Sequence, residues 1–320
     1  MSEKAATSMS AVDLASGASI PVIDFHPFVG SDVSARALTA EKIRQSFEAF
    51  GFLYLRNHGL PQEIVDDLFE QARLFFSLPA ASKARASGYA PPGFSGLDPA
   101  KPADVKERFR APDDPSLPDN YWPAHPAHLR QAALQFHQAA SAACRRIMSA
   151  VALSFNLPSD FFDESHRAHP GAVSLLHYPP IDGPLLPGQM RSGAHTDFGT
   201  LTLLFHFGSS DGLEIQRPDG NWLHAPSLPG AAIVNAGDLL TRWTNGQLRS
   251  VLHRVVPPAG EALQRSRYSA VLFYEPRSDA LITCLEPCQG PNHPALYAPI
   301  TAGAHLAARR EETIRSGYSS

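Results

Sequence analysis

The chain has 320 residues, 43% of them hydrophobic and 18% charged, enough to bury a sizeable core in one or two domains. Its net charge of -4, with no Lys/Arg-rich run, argues against a nucleic-acid surface. No stretch approaches the ~20 apolar residues that span a bilayer, and Cys144, Cys284 and Cys288 are too few for a disulfide framework.

Residues 1–19 lack a basic start and a compact apolar block, so they read as a disordered tail rather than a secretory signal. IPVIDF (20–25) alternates as a strand does, and 34–50 carries Ile43, Phe47 and Phe50 at helical spacing. GFLYLRNHG (51–59) is a second strand ending in a turn shaped by Asn57 and His58. Pro61 opens a helix with Ile64, Val65, Leu68, Phe69, Ala72, Phe75 and Phe76 on its apolar side. Residues 88–122, rich in Gly, Pro and Asp, read as a long ordered loop. A long amphipathic helix is expected over 126–155, then a shorter one over 159–165 capped by Ser159. After Gly171 come VSLLHYP, LTLLFHF, GLEIQ, AAIVNAG, SVLHRVV and RYSAVLFYEP, short strands spaced as in a sandwich or barrel. HLAARREETIRSGY reads as a terminal helix. Cys284 and Cys288 have no second Cys/His pair close by, so reduced thiols in a cytosolic setting are expected.

The triplet His195-Thr196-Asp197 lies in this β-rich half, followed by His253 and by Arg267-Tyr268-Ser269. Two histidines and a carboxylate hold one face of an octahedral Fe(II) and leave the other open. On a strand, His195 and Asp197 would point to the same side. The third ligand must come from a distant strand, and His253 is the candidate. A single histidine on a strand is usually structural. Here Gly193 and Gly199 flank the triplet, LTLLF follows it, and His253 sits in an apolar strand where an unpartnered imidazole is costly. Arg267 and Ser269 share a strand face leading into AVLFY, and a buried guanidinium calls for an anion. That anion is either a protein carboxylate or a dicarboxylate ligand gripped by the Arg fork. Once iron is accepted, charge counting favours a dianion such as 2-oxoglutarate. His177, His206 and His224 lack comparable ligand spacing. Asp238 and Asn235 read as structural groups, and Trp243 and Asn245 as builders of a turn between strands.

GAHTDFGTLTLLF, GDLLTRWTNGQLRSVLHRVV and RYSAVLFYEP, in this order, resemble the Fe(II)/2-oxoglutarate-dependent dioxygenases of the isopenicillin N synthase-like superfamily. IPVIDF, AFGFLYLRNHGLP, LFFSLP and VKERF resemble the N-terminal region of those enzymes, so the likeness covers about residues 20–310. The resemblance implies an α+β fold with a distorted jelly-roll core, a double-stranded β-helix, flanked by helices. On that plan residues 1–19 are the tail and 20–168 an N-terminal region of strands and helices packing on the core. Residues 169–278 form the jelly-roll core, and 279–320 a C-terminal segment and helix.

It also implies that His195, Asp197 and His253 bind iron. Arg267 and Ser269 would bind the distal carboxylate of 2-oxoglutarate, with a hydroxyl added by Tyr178 of LLHYPP. Many members have Asn two positions before this Tyr, and others Arg four before it; this chain has Leu176 and Ser174. Those positions neighbour the substrate pocket, so no substrate carries over. Tyr89, Phe94 and Phe109 of the 88–122 segment are further pocket candidates.

The implied reagents are Fe(II), 2-oxoglutarate as cosubstrate and dioxygen, with ascorbate as an in vitro reductant. The implied activity couples decarboxylation of 2-oxoglutarate to succinate with hydroxylation, desaturation or ring closure of a small metabolite. A secondary-metabolite scaffold is the first expectation for that metabolite. No nucleic-acid, membrane or protein partner is implied, and a cytoplasmic location is expected. Isopenicillin N synthase and the aminocyclopropane carboxylate oxidases share the fold and an RxS motif without using 2-oxoglutarate, which leaves a rival reading. A non-catalytic binding module on the same scaffold is another.

Overall fold

The computed structural model describes residues 19–94, 102–112, 114, 117–118, 121–167, 171–208 and 212–317. The expected tail, but for its last residue, lies outside them. β1 (Val22–Asp24) and β2 (Phe52–Arg56) pair in parallel. Between them run α1 (His26–Val29) and α2 (Val33–Phe50). The Asp32 carboxylate caps α2, accepting from the backbone N–H of Ser34 and Ala35 at 2.8 and 3.1 Å. Gly51 ends the helix at a left-handed φ of 66°. A Cβ there would sit 2.4 Å from the Arg249 carbonyl oxygen, so only glycine fits.

α3 (Gln62–Phe76) buries Val65, Leu68, Phe69, Ala72, Phe75 and Phe76, the stripe its sequence spacing describes. After α4 (Ala80–Lys83), residues 88–122 depart from the loop expected of them. β3 (Tyr89–Ala90) and β4 (Glu107–Pro112) pair there and extend the main sheet. Only Phe109 and Ala111 supply apolar alternation in this stretch. Lys106, Arg108 and Arg110 take the positions between, so the strand period was hidden among charges. α5 (Leu129–Ser154) packs against α2 and α3. The helix expected over 159–165 is a series of turns with a 3-10 segment at Glu164–His166. Ser159 meets the Ser149 hydroxyl through its carbonyl rather than capping a helix.

The second half contains β5 (Gly171–Tyr178), β6 (Ser192–His195), β7 (Leu201–Gly208), β8 (Leu213–Gln216) and β9 (Trp222–His224). β10 (Ala231–Ala236), α6 (Asp238–Trp243), β11 (His253–Val255) and β12 (Arg267–Tyr274) follow. β13 (Leu281–Ile282), β14 (Ile300–Thr301) and α7 (Ala302–Gly317) complete the chain. The main sheet has the order β1-β2-β10-β7-β12-β5-β4-β3, antiparallel except at β1–β2. The smaller sheet runs β6-β11-β8-β9.

Period-two alternation assigns each main-sheet strand two faces. Val173 and Leu175, Leu201 and Leu203, and Ala270 and Leu272 pack with Phe47, Phe69, Phe75, Phe109 and Phe136 under the helices. Burying each Phe contributes roughly 1.5–3 kcal/mol relative to exposure. The opposite face meets the smaller sheet, where Phe52, Tyr54, Tyr178 and Ile233 pack with Leu213, Ile215 and Val255. The result is a jelly roll with helices on one side, an α+β architecture. Cys144, Cys284 and Cys288 are free and buried. Among the described residues no helix is long and apolar enough to cross a membrane.

Candidate metal centre and anion clamp

His195 closes β6 and His253 opens β11, and the two are cross-strand partners in the smaller sheet. Nδ1 of each ring faces a backbone carbonyl two residues back, Gly193 at 2.8 Å and Val251 at 3.1 Å. Such a bond places the proton on Nδ1 and leaves Nε2 as the lone-pair donor. Asp197 lies beyond the end of β6, so strand alternation does not align it with His195, as the sequence had suggested. Its loop is tied instead to the start of α6. The Asp197 carbonyl accepts from the Asp238 N–H at 2.8 Å, and Gly199 from Leu239 at 3.0 Å. Gly237 permits this approach, because a Cβ there would lie 2.3 Å from the Gly199 oxygen.

The Asp197 carboxylate is divided between two tasks. Oδ2 accepts from the Thr202 hydroxyl at 2.5 Å and from the Asn235 amide at 2.7 Å. Oδ1 faces Nε2 of His195 at 3.9 Å and of His253 at 3.8 Å. Those separations exceed a hydrogen bond but lie within the span of about 4.2 Å that one ion bridges with two bonds of about 2.1 Å. The ligand atoms of all three residues lie within 4.8 Å of one another. One carboxylate oxygen and two imidazole nitrogens suit a divalent iron-type ion. Burial, aided by His253, pushes His195 down to about 3, so it is a neutral donor. Burial works against ionisation of Asp197, yet the two imidazoles, Thr202 and Asn235 hold it below the ordinary carboxylate value.

On the main sheet, Arg267 and Tyr178 are cross-strand partners, and the guanidinium lies 4.6 Å over the phenol ring. Nδ1 of His206 is 3.1 Å from both the Ser269 hydroxyl and Nη2 of Arg267. Burial, then the charge of Arg267, pushes His206 well below its usual value and keeps it neutral.

Sequence reasoning passed over Arg191, which is 0% exposed. Its Nη2 donates to the carbonyls of Pro179 at 3.4 Å and Arg265 at 3.3 Å, while Nε and Nη1 meet no acceptor. Burial, then repulsion from Arg267, lowers it from the ordinary arginine value. The two cations repel, and an anion nearby would relieve that repulsion. The available signal was a cation four positions before His195. Thr202 and His206 were likewise visible as polar breaks in LTLLFHF.

Ser174 and Leu176 share the inner face of β5 with Tyr178. Tyr89 and Phe109 lie on the helix side of the sheet, away from the metal trio. Phe109 is 0% exposed in the helix-side core, and the Tyr89 hydroxyl donates to Glu107, which Lys83 and His177 also meet at 2.6 and 2.7 Å. Phe94 is 54% exposed. Asp238 accepts from Arg309 at 2.9 Å, so it anchors α7 as well as the Asp197 loop, and Trp243 ends α6 rather than building a turn.

Two family profiles match this chain. One, described as non-haem dioxygenase in morphine synthesis N-terminal, matches residues 20–129. The other, the 2OG-Fe(II) oxygenase superfamily, matches residues 170–276. The chain is 31% identical to validamycin A dioxygenase of Streptomyces hygroscopicus subsp. limoneus, covering 90% of this chain and 82% of that protein. It is 30% identical to the 2-oxoglutarate-dependent dioxygenase htyE of Aspergillus rugulosus, covering 92% and 98%. The crystal structure of full-length Neurospora crassa T7H in complex with alpha-KG superposes with a TM-score of 0.85 at 31% identity, covering 93% of this chain and 98% of that one. The chain therefore belongs to the 2OG-Fe(II) oxygenase superfamily, among its isopenicillin N synthase-like 2-oxoglutarate-dependent dioxygenases.

Proposed function

We propose that this enzyme oxidises an unactivated C–H bond of a small organic metabolite, in the cytoplasm and in secondary metabolism, using iron held by His195, Asp197 and His253. The observation that carries the ligand assignment is the single Asp197 oxygen facing both imidazole Nε2 atoms. Arg267, Ser269 and Tyr178 hold the distal carboxylate of 2-oxoglutarate, with Arg191 adding positive charge beside them. Bound Fe(II) and 2-oxoglutarate supply the oxidative decarboxylation that yields succinate, carbon dioxide and oxidising power. The chain's part is to fix geometry and exclude water. Thr202 and Asn235 keep Asp197 one-handed, and Leu176 and Leu204 lend the inner wall apolar surface. A small-molecule substrate accords with the Neurospora enzyme, whose structure was also solved with thymine.

The test is stoichiometric. With Fe(II) added, each substrate turned over should consume one dioxygen and release one succinate. Oxygen uptake without succinate would instead fit iron oxidases that dispense with 2-oxoglutarate.

The hydrogen bonds to Oδ2 have their own expected result. Asn235→Leu or Thr202→Val should weaken Mn(II) binding about 10–100-fold, because groups that orient a metal's ligands act on affinity at that scale. Equilibrium dialysis reads the effect, and metal affinity equal to the parent's would count against the arrangement.

A further inference from the structure

The β4 strand carries three cations at alternate positions, Lys106, Arg108 and Arg110, just before and within Glu107–Pro112. Register places Arg108 beside Leu176 and Arg110 beside Ser174, and those residues share the inner face with Tyr178. The intervening residues Phe109 and Ala111 enter the helix-side core, which turns the cations to the opposite, inner face, Arg108 half-buried and Arg110 exposed. Lys106 confirms that direction, since its Nζ donates to the Ser192 hydroxyl on β6 at 2.7 Å. Lys106 is also neutralised by Asp104 at 3.0 Å. The two arginines are not. Arg108 is half-buried, its Nε is buried without an acceptor, and neither it nor Arg110 forms an ion pair among the described residues. Burial, then repulsion from Arg110, lowers Arg108 from the ordinary arginine value. Glu275, an acidic group near Arg110, is 4.0 Å from Arg310 and is pushed up by burial.

Arg108 is not a second hand on 2-oxoglutarate. It stands level with Ser269 but two strands away, through Leu176, a lateral offset of roughly 10 Å. Resting on the iron and 2-oxoglutarate reading above, we propose that Arg108, with Arg110 beside it, binds a carboxylate on the substrate that is oxidised. The preferred substrates are therefore anionic. A guanidinium fork with a buried donor unused is matched better by a planar carboxylate, with two acceptor oxygens and a negative charge, than by a neutral amide of similar size.

The experiment uses the full chain with Mn(II) and 2-oxoglutarate, without oxygen, so that binding is measured apart from turnover. Calorimetry compares arylacetic, arylpropanoic and medium-chain fatty acids with the primary amide of each. Acids should bind about 10–100-fold more tightly than their amides, the scale of a charge-assisted hydrogen bond. Arg108→Ala should erase that preference and Arg108→Lys should keep part of it, while the half-saturating 2-oxoglutarate concentration moves far less. If Mn(II) and 2-oxoglutarate do not bind the parent protein, the functional reading falls and this inference with it. If they bind, any of three results overturns the carboxylate subsite alone: amides binding as well as acids, no acid binding, or Arg108→Ala keeping the parent's preference.

Discussion

An Asp197→Ala protein is expected to form no succinate above background while remaining folded. Asp197 supplies the one oxygen aimed at both imidazoles and the one negative charge in the ligand set. Without it, two imidazole nitrogens must hold a dication with no anionic ligand. The substitution also strands the donors of Thr202 and Asn235, costing about 1–3 kcal/mol of stability for each group left buried and unpaired. The comparison must therefore include circular dichroism and a metal count, and Asp197→Asn serves as the partner variant because it retains an acceptor. Succinate formation surviving in a metal-checked Asp197→Ala protein would remove Asp197 from the ligand set.

Arg267→Ala should raise the half-saturating concentration of 2-oxoglutarate far more than that of the substrate. Truncating one side of a buried, hydrogen-bonded charge pair costs about 2–5 kcal/mol, or roughly 30-fold to several thousand-fold in concentration. Arg267 is 1% exposed and stacks on Tyr178, so its removal also loosens the ring beside it. Arg191 remains in the variant and sets the residual binding, which places the effect below that of removing all positive charge. Equal shifts for cosubstrate and substrate would mean that the clamp has been placed on the wrong molecule.

The jelly roll was legible because its central strands are long and rich in apolar residues: VSLLHY, LTLLFHF and RYSAVLFY each appear as a strand. Shorter elements escaped. β6 is four residues containing Gly193, β9 is three, and α6 is a six-residue helix among strands, all below the length at which a period can be counted. The residues of the metal set were visible as residue types at suggestive spacing, but the reason Asp197 joins them was not. It depends on hydrogen bonds from α6, a long-range contact that no local pattern encodes. Charge counting took in Arg267 and stopped there. Arg191 and Arg108 stand out only in the assembled structure, where buried guanidinium nitrogens of each meet no acceptor.

The arginine-bearing strand β4 lies near one rim of the main sheet, separated by β5 from the strand that carries Arg267 and Ser269, and it contributes none of the trio proposed to hold iron. Mutational drift at Arg108 or Arg110 can thus re-address such a catalyst to new chemical cargo while its redox engine stays untouched. A lineage built this way diversifies by swapping one replaceable slat at the rim.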